Sequence, residues 1–157
     1  MKKKIIIIYL PIIFLLLSSC GFKKINSDSK NSYGINNIVV IGDNRIGYIL
    51  KNEITLNSST SATTLLDIEI NLEKEKNIKE KNISGNATKY NLIFSADFSA
   101  LNIKNSKKII KKFTRSSDFT VKSSHSDTLK DEKKTTLTLA EQISEDIVNF
   151  LKMNFQL

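Results

Sequence analysis

Thr88-Lys89-Tyr90-Asn91-Leu92-Ile93-Phe94-Ser95-Ala96-Asp97-Phe98-Ser99-Ala100-Leu101-Asn102-Ile103 decides how this chain folds. Tyr90, Leu92, Phe94, Ala96, Phe98 and Ala100 share one parity, and Asn91, Ser95, Asp97 and Ser99 share the other. Successive side chains of a strand point to opposite faces, so this alternation predicts one strand with an apolar face and a polar face. Ser84-Gly85-Asn86 before it and Lys104-Asn105-Ser106-Lys107 after it have turn composition. Upstream, Leu66, Ile68, Ile70 and Leu72 alternate with Asp67, Glu69, Asn71 and Glu73, which predicts a second half-buried strand. Glu73 to Lys81 mixes lysine with glutamate and reads as a solvated hairpin end. Downstream, Ile109 to Phe119 predicts a third strand, with Lys111, Lys112 and Arg115 interleaved in the way that protects a sheet edge. The short connections make the three strands antiparallel neighbours.

Before this meander, Ile38-Val39-Val40-Ile41 is a continuous β-branched run and reads as a buried strand. Gly42-Asp43-Asn44 turns the chain, and Asp43 or Asn44 can cap a helix by accepting a backbone hydrogen bond. From Arg45 to Leu56 the apolar residues Ile46, Ile49, Leu50 and Ile54 trace a helical face. Gly42 and Gly47 have phosphate-loop spacing, but Tyr48 and Ile49 stand where that motif needs lysine and a hydroxyl residue, which removes the charge for the phosphates. Asn57 to Thr64 is a polar loop. At the C-terminal end, Leu137, Ala140, Ile143, Ile147, Phe150 and Leu151 trace a second helical face, expected to run from about Asp127 to about Asn154, with Ser126, Asp127 and Thr128 as caps. The order is β-α-β-β-β-α. Two amphipathic helices can cover only one face of a four-stranded mixed sheet, so the expectation is an α+β two-layer sandwich spanning residues 38–157. The other face, with Asp67, Glu69, Ser95 and Asp97, is expected to stay polar and to meet water or a polar partner.

The N-terminal segment has the layout of an export signal. Lys2, Lys3 and Lys4 precede the apolar run Ile5 to Leu17, which ends in Leu17-Ser18-Ser19-Cys20. A membrane span needs roughly 20 apolar residues, so the run is short for one, and Pro11 removes a helix donor within it. An aliphatic residue, two small ones and a cysteine resemble the bacterial lipobox. That resemblance implies a signal peptide over residues 1–19 and acylation of Cys20, palmitate included. Each buried acyl methylene contributes about 0.8 kcal/mol, so two or three chains hold firmly to a bilayer. Residues 20–37 then read as a tether rich in Ser, Asn and Lys, with a root-mean-square span of about 20 Å. Gly21 rather than Asp follows the cysteine, which by resemblance to lipoprotein sorting rules favours the outer membrane.

The chain carries a formal net charge of +8. Basic proteins meet nucleic acid, anionic lipid or acidic partners, and export argues against nucleic acid. Cys20 is the sole cysteine, which excludes an internal disulfide. His125 is the sole histidine. One histidine and one lipidated cysteine cannot supply a metal cluster, and no Gly-x-Ser-x-Gly nucleophile turn is present. Asp67 and Glu69 lie about 7 Å apart on one strand face, but without a second partner they read as solvated charges. The expectation is a non-enzymatic protein with neither cofactor nor metal.

Several stretches carry a family resemblance. Cys20-Gly21-Phe22 resembles a Cys-Gly-aromatic mature start. Arg45-Ile46-Gly47-Tyr48-Ile49-Leu50-Lys51-Asn52 resembles a first helix in which Arg-x-Gly leads into a basic residue and Asn. Gly85-Asn86-Ala87-Thr88-Lys89-Tyr90-Asn91-Leu92 resembles the start of a third strand, and Ala140 to Leu151 a closing helix. Together with the element order behind a lipobox, these resemble the LPS-assembly outer-membrane lipoprotein family LptE. The resemblance implies a plug and assembly partner inside the lumen of an LptD-type β-barrel, in a one-to-one hetero-oligomer. It also implies lipopolysaccharide binding through basic residues in loops at one end of the sheet. Carried over by position, those residues are Lys79 and Lys81 before the Gly85 turn, and Lys122 and Lys130 between the last strand and the last helix. Lys104, Lys107 and Lys108 fall at the opposite end. The competing expectation is a free-standing, periplasm-facing lipoprotein that binds a small ligand or scaffolds the envelope.

Overall fold

The computed structural model describes residues 33–155. The signal peptide, Cys20 and the first part of the expected tether lie outside the described residues. Four strands and two helices follow in the expected order: β1 (Tyr33–Ile41), α1 (Asn44–Leu56), β2 (Thr64–Lys81), β3 (Ala87–Asn102), β4 (Lys108–Thr120) and α2 (His125–Phe155). The strands form one mixed sheet in the order β1-β2-β3-β4. β1 runs parallel to β2, and the other two pairings are antiparallel.

Parity builds the core. Leu66, Ile68, Ile70 and Leu72 on β2 are buried, as are Leu92, Phe94, Ala96, Phe98 and Ala100 on β3. The pairings Ile68↔Ala100, Ile70↔Phe98 and Leu72↔Ala96 place these residues on one face. Ile46, Leu50 and Ile54 of α1 and Leu139, Ile143, Ile147 and Leu151 of α2 close over that face in the same cluster. Phe98 meets Phe113 and Phe150 edge-on, with ring centroids 6.1 Å apart in each case. Phe113 and Phe150 stand 5.7 Å apart. Buried hydroxyls on α2 bond to their own helix: Thr136 Oγ1 donates to the Glu132 carbonyl at 2.8 Å and Ser144 Oγ to the Glu141 carbonyl at 2.7 Å.

Asp43 caps α1 as expected, its Oδ1 accepting from the backbone of Arg45 at 2.9 Å and of Ile46 at 3.0 Å. The turn before it needs glycine. Gly42 has φ +121°, and a Cβ there would lie 2.8 Å from the Leu72 carbonyl oxygen. α1 then lies close on β1, because a Cβ at Gly47 would come within 3.1 Å of Val40 Cγ1.

Four expectations need correction. β1 begins at Tyr33, so residues 33–37 belong to the domain and not to the tether. Tyr33 is fully buried, and that burial pushes its hydroxyl up to about 12. β1 is also an edge strand, not a buried one: Ile38 and Val40 are half-buried, while Val39 and Ile41 are exposed. Glu73 to Lys81 is strand, not a hairpin end, and pairs with β3 as far as Lys81↔Ala87. α2 starts at His125, two residues before Asp127. Thr128 fixes that start, its backbone N–H donating to the Ser124 carbonyl at 3.1 Å and its Oγ1 accepting from the Lys122 N–H at 2.9 Å.

Replacing Phe98 by Ala is expected to cost about 3–5 kcal/mol in a chemical melt, because it removes a fully buried ring from the aromatic trio. Gly42→Ala is expected to destabilise as well, through backbone strain and the clash with Leu72, whereas Gly85→Ala meets no neighbour and carries only the strain of its φ of +81°.

Candidate functional site

β2 ends at Lys81 and β3 begins at Ala87. The turn between them is closed by hydrogen bonds from Asn82 N–H to the Asn86 carbonyl and from Gly85 N–H to the Asn82 carbonyl, both 2.9 Å. Asn82 Oδ1 also accepts from the Asn86 N–H at 2.9 Å. β4 leaves the sheet at the same end, where Lys89 pairs with Thr120 and the Val121 N–H donates to the Thr88 carbonyl at 2.9 Å. α2 begins four residues later. The β2–β3 turn and the β4–α2 loop therefore share one end of the molecule. Residues 76–89 and 118–134, which form that end, carry eight lysines against five carboxylates.

The topology brings Lys79, Lys81, Lys122 and Lys130 to this end, but as differently engaged cations. Lys79 forms an ion pair with Asp118 on the open face of the sheet. Asn91 Nδ2 donates to the same carboxylate at 2.8 Å. The hydrogen bond from Lys79, then that from Asn91, holds the Asp118 carboxyl below the usual range. Lys122 Nζ stands 3.4 Å from Asp131, and Lys130 Nζ stands 3.2 Å from Asp127 one helical turn back. Lys81 has no ion-pair partner among the described residues. Lys104, Lys107 and Lys108 lie at the far end, in or beside the β3–β4 turn, as expected.

Other residues at the basic end escaped the sequence reading. Lys76 sits over the Tyr90 ring at 4.4 Å and the Phe119 ring at 5.3 Å, and these two rings stack at 5.5 Å. Its ammonium also reaches Glu132 of α2 at 2.6 Å, while Lys74 stands 3.7 Å from the same carboxylate. Lys89 pairs with Glu80 at 2.7 Å. Two shallow depressions flank the first half of α2. One, of about 260 Å3, has Arg45, Lys74 and Lys133 interleaved with Asp43 and Glu132 around Ile46, Leu129 and Leu137. The other, of about 360 Å3, has Lys89 and Lys134 with Asp118 and Asp131 among the hydroxyls of Ser117, Thr120, Thr135 and Thr138. Both depressions interleave cations with carboxylates and offer hydrogen bonds to a hydroxyl-rich ligand. Among the described residues no cluster of three or more His, Cys, Asp or Glu side chains could hold a metal ion.

No protein-family model matches the chain, and no curated protein matches it. Solved structures do. A candidate lipoprotein from Caulobacter crescentus CB15 superposes with a TM-score of 0.52 at 14% identity, over 81% of this chain and 92% of that one. Rare lipoprotein B from Shewanella oneidensis gives 0.50 at 13% identity, over 76% and 92%. Lipoprotein B from Nitrosomonas europaea gives 0.56 at 14% identity, over 75% and 83%. The chain shares its fold with bacterial lipoproteins. At these identities the likeness is one of fold, so the site must be argued from the residues themselves.

Asp118 gives that end a measurable acid sensitivity. Its carboxyl is held low in the folded state, so its contribution is present above the unfolded value and is lost as pH falls through the folded one. As pH falls below the ordinary carboxylate range the wild-type protein is expected to lose more stability than Asp118→Asn, read by denaturant melts at each pH.

Proposed function

We propose that this protein is an outer-membrane lipoprotein of the LptE type, anchored through acylated Cys20, that sits in the lumen of an LptD-type β-barrel and binds lipopolysaccharide during its delivery to the outer leaflet. The observation that carries the reading is the convergence of the β2–β3 turn and the β4–α2 loop into one basic end, on a fold shared with bacterial lipoproteins and behind a lipobox. Lipid A phosphates are anionic, and a lysine serves them as a mobile point charge rather than a bidentate fork. The ion pairs at this end are exposed, so an incoming phosphate can compete for Lys79 and Lys122 at little cost in stability.

Lipopolysaccharide binding by the protein from residue 21 onward is expected to weaken as salt rises, because exposed charges are screened beyond about 8 Å at physiological ionic strength. The double change Lys81→Glu and Lys122→Glu is expected to weaken it further, and Lys104→Glu with Lys107→Glu to weaken it less. Equal losses from the two ends would reduce the site to a diffuse basic effect, and no loss from either would remove lipopolysaccharide binding from this chain. In cells, Cys20→Ala is expected to abolish palmitate labelling; labelling that persists would end the lipobox reading.

A further inference from the structure

The end of the domain opposite the β2–β3 turn gathers segments that are distant in the chain. Tyr33, where β1 begins, pairs with Thr64 at the start of β2. The Ser59 N–H donates to the Tyr33 carbonyl at 3.0 Å, and the Ile103 N–H donates to the Leu65 carbonyl at 3.1 Å. Lys152, in the last turn of α2, reaches Asn57 Oδ1 at 3.0 Å. The α1–β2 loop, the β3–β4 turn and the end of α2 therefore form one tip. Two asparagines shape the turn: Asn102 Oδ1 accepts from the Lys104 N–H at 2.9 Å, and Asn105 Oδ1 from the Lys107 N–H at 3.0 Å. Lys104, Lys107 and Lys108 are exposed on it, and none has an ion-pair partner among the described residues. Residues 54–66, 101–108 and 152–155 carry these three lysines and Lys152 but no Asp or Glu. The bordering carboxylates are already engaged, Glu53 accepting from Asn57 at 3.0 Å and Asp67 from Asn36 at 2.8 Å. Glu69 and Asp97 stand farther along the open face, Asp97 beside Lys112 at 3.5 Å. Aliphatic side chains flank the lysines, with Leu56 78% exposed, Ile103 46% and Leu65 42%.

We infer that this tip is a second membrane contact, which rests on an anionic phospholipid leaflet beside the N-terminal anchor. The inference rests on the anchoring of the N-terminus and not on the lipopolysaccharide or barrel readings, which concern the opposite end. Connectivity selects the occupant. Residues 20–32, even fully extended, reach at most about 45 Å, and they join the domain at Tyr33, on this tip. The tip is therefore kept within that reach of the leaflet that carries the anchor. A tethered surface meets its target at high effective concentration, so a weak contact suffices. A soluble acidic partner has no such advantage. Charge agrees with connectivity. Each lysine near an anionic leaflet favours contact about fivefold, and residues 20–32 add Lys23, Lys24 and Lys30 against Asp28. Lysine stems and the aliphatic side chains beside them can settle at headgroup depth while the ammonium groups meet phosphate. Two copies placed tip to tip would set the lysines against one another. The opposite end is not equivalent, because Lys79, Lys122 and Lys130 already face carboxylates of their own domain.

The chain has no tryptophan, so a single introduced one reports its own surroundings. The full-length lipoprotein carrying Ile103→Trp is reconstituted into phosphatidylcholine vesicles with and without phosphatidylglycerol, with acyl-brominated lipid as quencher. Ile83→Trp, on the exposed β2–β3 turn, is the control. Quenching is expected at Ile103→Trp in the vesicles with phosphatidylglycerol, to fall as salt rises, and to be absent at Ile83→Trp. Lys104→Glu with Lys107→Glu is expected to lower the ratio of docked to free tip at least about tenfold. Equal quenching at the two positions, no dependence on phosphatidylglycerol, or indifference to the lysine reversals would each overturn the inference. A blue shift at Ile103→Trp without lipid quenching, the sign of a second copy over the tip, would overturn it as well. Mass spectrometry of the same protein reads acylation separately. An acylated chain with an unquenched tip would overturn the inference and leave the anchor reading standing. A chain without acyl groups that still shows phosphatidylglycerol-dependent quenching at Ile103→Trp would support the inference and remove the acylation reading.

Discussion

Between the Leu66–Asn102 pair and the Lys81–Ala87 pair, β2 and β3 run as one antiparallel ladder, and the rest of the molecule is placed by it. Its parity sends Ile68, Ile70, Phe94 and Phe98 to one side, where α1 and α2 can bury them, and Asp67, Glu69, Ser95 and Asp97 to the other. A slip of one residue would exchange the two sets, which burial of five successive β3 side chains forbids. The ladder also continues past the point at which α1 begins. There only α2 covers the inner face, and Lys74 and Lys76 can occupy inward-pointing positions because Glu132 reaches down to them from the helix.

The same geometry divides the charge. A chain that is strongly basic in total gathers eight lysines at the β2–β3 end of the ladder and five more, Lys104, Lys107, Lys108, Lys111 and Lys112, toward the β3–β4 turn. Exposed ion pairs such as Lys122–Asp131 contribute little to stability. Their effect is to keep ammonium groups close to one another without net repulsion until a stronger anion arrives. Lys76 is the exception, since stacked Tyr90 and Phe119 beneath it and Glu132 beside it fix its position before any ligand binds. It therefore belongs to the frame of the basic end and not to its mobile charges.

Period-two runs made β3, β4 and the apolar half of β2 legible, and the capping residue Asp43 made the start of α1 legible. The charged half of β2 was not, because Lys74 and Lys76 break the alternation and their partners lie on α2, far along the chain. A run such as Ile38 to Ile41 reads alike at the centre of a sheet and at its edge; only the strand order shows that it has one neighbour. Tyr33 and Gly34 lie beyond that run, in a segment whose composition resembles linker, so the start of β1 was hidden. At the site, chain order placed the four lysines at one end, but their carboxylate partners arise from pairings that no local window contains.

The position of the N-terminus gives the two ends different tasks. Tyr33 pairs with Thr64, so the chain enters the sheet at the end that holds the β3–β4 turn, opposite the converging β2–β3 turn and β4–α2 loop. Strand rise gives β2, with its 18 residues, a length of about 60 Å. Residues 20–32, even fully extended, reach at most about 45 Å. With Cys20 acylated as proposed, the end with the β3–β4 turn is therefore the one that can be held near the anchoring leaflet. The basic end stands off from that leaflet whenever the sheet is upright. An upright sheet presents Lys104, Lys107 and Lys108 to the anchoring surface and holds Lys79, Lys81, Lys122 and Lys130 away from it. A sheet lying flat would bring the lysines down to the anchoring surface and reverse this assignment.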